Sequence, residues 1–176
     1  MSVFVFVMPL GTNLRGNFQA PGMTRRRRSE EEVRPALDSF MSRLEALLGV
    51  RPEWDEEGPV RSATMFSVEG FSLPFLRARA WSTRLNLPRL CAMDLPQIWI
   101  PSDFEPTFQV DAPWNPGTEV SVASSSRLQL DLERLLAEMA GEEEGADLAE
   151  TYRVADRLRQ IAGLGMEHRM PVIIEG

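Results

Sequence analysis

The sequence predicts an α+β domain: a mixed β-sheet packed against three to four amphipathic helices, with residues 1–176 forming one domain. Three observations carry this. Val3–Met8 and Met170–Ile174, at opposite ends of the chain, are apolar at consecutive positions, as strands covered on both faces are. Between them lie segments with apolar residues at three- and four-residue steps, the mark of one helical face. A chain of 176 residues, 43% hydrophobic, is long enough to bury a core without metal or disulfide.

The elements follow in order. Val3–Met8 reads as a strand near the centre of the sheet. Residues 11–28 hold Gly11, Asn13, Gly16, Asn17, Pro21 and Gly22, and read as a long mobile loop. Val33, Leu37, Phe40, Met41, Leu44, Leu47 and Leu48 then mark a helix, with Ser29 and Glu32 as a capping box and Gly49 as its stop. Pro35 leaves two forms open: a helix kinked there, or one that begins with Pro35 in its first turn. The face Leu37, Phe40, Leu44, Leu47 is expected on the sheet.

Residues 51–61 form a Pro- and acid-rich loop, and a short strand is expected around Thr64–Val68. Residues 72–85 fit a helix, though the alternation Leu76–Ala80 would also suit a strand. From Leu87 to Ala123, short apolar pieces between prolines read as strands at Leu90–Met93, Gln97–Ile100, Thr107–Val110 and Glu119–Ala123. Two helices follow. The first carries Leu128, Leu132, Leu135, Leu136 and Met139, with Ser126 and Gln129 as capping box and Gly141 at its end. The second carries Leu148, Tyr152, Ala155, Leu158 and Ile161, with stops at Gly163 and Gly165. Their short connection predicts antiparallel neighbours.

Composition excludes several chemistries. One cysteine, Cys91, and one histidine, His168, cannot build a closed transition-metal site, so no cofactor and no structural transition metal is expected. All 19 basic residues are arginine, which removes Schiff-base and P-loop lysine chemistry. The net charge of −7 argues against general nucleic-acid binding, and no apolar run is long enough to span a membrane. A signal leader is not apparent, so a cytoplasmic location is expected. Gly11–Gly16 has the glycine spacing of a phosphate loop, but Asn17 and Phe18 stand where Lys and Ser/Thr are required. No G-x-S-x-G elbow accompanies His168, and no catalytic residues are assigned.

Two surface features remain. Glu53, Trp54, Asp55, Glu56 and Glu57 set an aromatic among four acids, a candidate contact for a basic protein partner. The competing reading folds Trp54 back onto the core and leaves the acids in water. Arg15 with Arg25, Arg26, Arg27 and Arg28 form a candidate anion site after the first strand, against a solvated loop offset by Glu30–Glu32. Trp81, Trp99 and Trp114 read as buried or semi-buried packing, with Asp111–Gly117 a loop that pins Trp114.

The size and acidity, without a family motif, look like those of bacterial immunity or inhibitor proteins, a likeness of size and charge. The leading expectation is a small acidic module that masks a basic partner protein. The alternatives are a small enzyme or nucleotide or anion binder using the arginine-rich loop, and a homo-oligomeric structural protein.

Overall fold

The computed structural model of the chain describes residues 2–17, 26–54, 66–69, 72–83, 85–87, 89–90, 96–141 and 146–175. Among these, six strands form one mixed sheet: β1 (Ser2–Val7), β2 (Phe66–Glu69), β3 (Ile98–Ile100), β4 (Phe108–Asp111), β5 (Glu119–Ser124) and β6 (Val172–Glu175), in the order β2-β1-β6-β3-β5-β4. The one parallel pair is β3 with β5; the others are antiparallel. The helices are α1 (Leu10–Arg15), α2 (Glu30–Leu48), α3 (Ser72–Ser82), α4 (Ser125–Met139) and α5 (Ala146–Glu167).

β1 and β6 carry the apolar runs Val3–Val7 and Val172–Ile174 because both faces of the sheet are covered. Val5 and Val7, Trp99, Ala123 and Val172 point into one core, which α3, α4 and α5 close. Their alternates Phe6 and Met8, Ile98 and Ile100, Val122 and Ile173 point into the other, which α1 and α2 close. Period-two alternation thus divides one apolar run between two cores. β1 and β6 lie adjacent inside the sheet, with Val5 opposite Ile174 and Val7 opposite Val172.

Several elements depart from the sequence expectation. The segment 11–28 opens with α1, not loop; Leu10 and Leu14 are buried, and Gly16 ends it in left-handed backbone at φ 70°. A side chain at Gly16 would also stand 2.9 Å from the Arg26 carbonyl oxygen. Residues 18–25 lie outside the described residues. Helix α2 begins at Glu30 with the Ser29/Glu32 capping box formed, and it runs through Pro35. Pro35 sits at an exposed position, where the carbonyl that its missing N–H leaves free can face water. Along α2, Leu37, Phe40 and Leu44 are buried, but Leu47 is 46% exposed. A 19-residue helix is about 28 Å long and outreaches strands of three to six residues. Its last turn exposes Leu47, while Leu48 still packs against the core beneath α2.

Helix α3 buries Leu76 and Ala80, while Trp81, one position further round, is 61% exposed and not part of the core. Trp99 is fully buried, and Trp114 meets Phe40 edge-on at 5.0 Å. The loop around Trp114 is closed by Ala112 N–H donating to Thr118 O at 2.8 Å and Asn115 N–H to Ala112 O at 2.9 Å. Ser124, not Ser126, caps α4, its hydroxyl accepting from the Arg127 N–H at 3.3 Å. In α5, Tyr152 is 44% exposed, and the buried stripe runs through Thr151, Val154, Ala155, Leu158, Ile161 and Ala162. The strand expected at Leu90–Met93 falls largely on residues outside those described, as do Cys91 and the 142–145 turn.

Gly163 and Gly165 do not stop α5, which continues to Glu167. Their surroundings differ, and opposite effects follow. A methyl group at Gly163 would meet only the Gln129 amide at 3.9 Å. At Gly165 it would lie 2.9 Å from Val172 Cγ2 and 3.0 Å from the Met170 carbonyl oxygen. Gly163→Ala is therefore expected to stabilise the protein by about 0.5–1 kcal/mol through helix propensity. Gly165→Ala should destabilise it by about 1 kcal/mol or more, crowding outweighing propensity. Urea melts of both variants check this; a gain at Gly165 equal to that at Gly163 would show that β6 yields to the methyl group.

Candidate functional site

Of the acidic loop, Glu53 and Trp54 are described; Asp55, Glu56 and Glu57 lie outside the described residues. Trp54 is 8% exposed and belongs to the core beneath α2, the second of the two placements open to it. Glu53, the neighbouring position, is exposed, and its carboxylate accepts from Arg169 at 2.7 Å.

That pair stands at the rim of a cavity of about 470 Å³. Its wall has two parts. The end of α2 and the chain after it bring Leu48, Val50, Arg51, Pro52 and Glu53; the loop after β3 brings Pro101, Ser102, Asp103 and Phe104. Arg169, between α5 and β6, completes the edge. β3 ends where β6 begins, the strands being antiparallel neighbours, and the end of α2 lines the same cavity. The cavity thus has apolar walls and ionic groups of both signs, within the size range of ligand and anchor pockets. Val50, on the lining, is 66% exposed.

The far wall is fixed by charge. Arg127 Nη2 donates to Asp103 Oδ2 at 3.1 Å, its Nε donates to Oδ1, and Ser126 adds a hydroxyl at 3.1 Å. Hydrogen bonding from Arg127 holds the Asp103 carboxyl below its ordinary range, and the same contact pushes the Arg127 guanidinium up. Arg127 Nη1 also meets Glu105 Oε1 at 2.7 Å. Behind them Arg89, 6% exposed, donates to the Glu105 carbonyl at 2.8 Å and faces Asp131, 3% exposed, at 3.4 Å. This chain of contacts ties the loop after β3 to α4.

The arginine-rich segment is not assembled into an anion site by its described members. Arg15 is held by Glu30 at 2.6 and 3.0 Å. Arg26 meets Glu32 at 2.9 Å. Arg28 donates to the carbonyls of Leu14 at 3.3 Å and Trp114 at 3.4 Å, a packing role. Arg27 is exposed, and Arg25 lies outside the described residues. The hydrogen bond from Arg15 lowers the Glu30 pKa, and the Ser29 backbone N–H lowers that of Glu32; both carboxylates are thereby committed to these cations and to the helix start.

The cavity lining contains neither histidine nor cysteine. Among the described residues, no three of His, Cys, Asp and Glu gather as a metal-ion site, and no helix is long and apolar enough to cross a membrane. The lining offers apolar contact and ionic groups of both signs. Compared with protein families, characterised proteins and solved structures, the chain has no match.

Of the cavity residues, sequence reasoning singled out Glu53. The others carry little signal: Leu48 reads as one more helix residue. Arg169 stands 116 positions from the carboxylate it meets.

Proposed function

We propose that the protein is a small acidic binding module that masks a basic protein partner. The partner docks on the cavity between the end of α2 and the loop after β3. The observation that carries this reading is the composition of that surface: exposed Val50 among apolar walls, with Glu53 on the rim. Exposed apolar groups edged by charge are the make-up of an interface. The net charge of −7 favours approach of a cationic protein, and salt screens that attraction over about 8 Å at physiological ionic strength.

The test is site-directed photo-cross-linking in the cell that makes the protein. A photoreactive residue replaces Val50 in one variant and Tyr152, on α5, in another. A basic protein captured from Val50 but not from Tyr152 is then purified and its affinity measured. Val50→Asp should weaken that affinity at least tenfold, about 1.4 kcal/mol. Glu53→Gln should slow association and flatten its salt dependence. Equal capture at both positions, or unchanged affinity in Val50→Asp, overturns this interface.

A further inference from the structure

Helix α5 ends in a doubly bonded turn: the Met170 N–H donates to Gly165 O at 2.8 Å and the Arg169 N–H to Met166 O at 3.2 Å. The left-handed position of such a turn is ordinarily glycine, because a side chain there crowds the backbone. Here it is Arg169, at φ 51°, the one non-glycine residue with positive φ among those described. Glycine would serve the turn better, so what arginine adds is its side chain, and strain kept at a position points to function there. That side chain crosses the rim of the cavity and donates to Glu53 at 2.7 Å. Both partners are exposed, 61% and 82%, so the contact is weak and open to exchange with another cation.

We propose that Arg169 stands in for an arginine of the partner, and that the cavity takes a guanidinium flanked by apolar groups. The partner's guanidinium displaces Arg169 from Glu53 on docking. This rests on the binding-module reading and names the chemistry its partner presents. A guanidinium fits better than an ammonium for two reasons. Its planar fork pairs with the Glu53 carboxylate and can lie against the ring of Phe104, a lining residue. It is also less strongly hydrated, so entry between Leu48, Val50, Pro52 and Pro101 strips less bound water.

The experiment uses the intact protein, isotope-labelled, and follows its backbone amide shifts while N-acetyl-leucyl-arginine amide is added. The citrulline analogue, equal in shape but uncharged, and the lysine analogue serve as comparisons. Arg169→Gly removes the competitor and relieves the strained turn, so the variant should remain folded with a raised melting temperature. It should bind the arginine probe about three- to fivefold more tightly than wild type, the most an exposed ion pair withholds. Adding Glu53→Gln to Arg169→Gly should abolish that gain, and the lysine probe should bind more weakly than the arginine one. Equal affinity in wild type and Arg169→Gly, or equal shifts with the citrulline probe, overturns the proposal. Such a result leaves the Val50 cross-linking test untouched: a partner lost in Val50→Asp yet indifferent to Arg169→Gly keeps the interface and removes the arginine pocket.

Discussion

Replacing Asp131 with alanine is expected to destabilise the protein by about 3–5 kcal/mol, since it takes from the buried Arg89 guanidinium its buried hydrogen-bond partner and leaves only the exposed Glu105 carboxylate beside it. Arg89 and Asp131 are 6% and 3% exposed. Arg89 Nε is buried with no hydrogen-bond partner, so the guanidinium already makes fewer bonds than it could. Its remaining contacts are Asp131 at 3.4 Å, the Glu105 carbonyl at 2.8 Å and the Glu105 carboxylate at 3.6 Å. The pair is therefore not expected to be a net source of stability. The double variant Arg89→Met with Asp131→Leu should recover most of the loss, because two apolar groups require no desolvated charge. Denaturant midpoints of the two single variants and the double variant form the cycle that measures this. A cost below about 1 kcal/mol for Asp131→Ala would mean that water reaches Arg89.

The pH dependence of the same site has a definite sign. Burial pushes the Asp131 pKa above its ordinary 3.8, with Arg89 pulling in the opposite direction. A carboxyl whose folded pKa is raised contributes stability while it is protonated in both states, and loses it as the pH climbs through the folded pKa. Asp131→Asn lacks this titration. Wild type should therefore lose stability relative to Asp131→Asn as the pH rises from below 3.8 through the native titration of Asp131. Asp103, Glu30 and Glu32 run the other way: their folded pKa values are lowered, so their contribution is lost on acidification through those values. These three carboxylates are exposed, and salt should weaken their effect.

Leu44→Ala is expected to cost about 2–5 kcal/mol. Leu44 is fully buried in the core beneath α2, with Phe40, Met41 and strand residues of the same cluster. Removing its side chain leaves a cavity between helix and sheet that close-packed neighbours fill only partly. Leu47→Ala, one turn later on the expected stripe, should cost far less, near 0.5 kcal/mol, because Leu47 is 46% exposed. Guanidinium melts of the two variants separate the packed part of the helix from the exposed Leu47. Equal losses would place Leu47 in the core after all.

Apolar pattern and turn chemistry made much of this fold legible. The capping box at Ser29 and Glu32, the stop at Gly49 and the buried positions Leu128, Leu132, Leu135, Leu136 and Met139 follow from local spacing, and the structure has them. Where local rules failed, a tertiary contact was responsible. Glycine is a poor helix residue, but Gly165 stays within α5 because β6 leaves no room for a side chain there. Tyr152 and Trp81 belong to apolar patterns and are exposed, since a periodic stripe does not say how wide the covering surface is. Gly11–Gly16 reads as loop until Leu10 and Leu14 find the core beneath α2.

The class of the protein is written in its residues alone: two-sided strands near both ends of the chain, amphipathic helices between them, an acidic charge balance and an all-arginine cation set. These are properties of composition and of spacing over a few residues, which backbone geometry converts directly into faces. Only the tertiary structure decided which charges meet. Glu53 is one exposed acid among several in the sequence; in the fold it edges a cavity and faces an arginine 116 residues away. Arg15 and Arg28 are alike in sequence, yet one is neutralised by a carboxylate and the other spent on two carbonyls. Charge acts over ångströms in space, and chain separation carries no information about those distances until strands pair and helices dock.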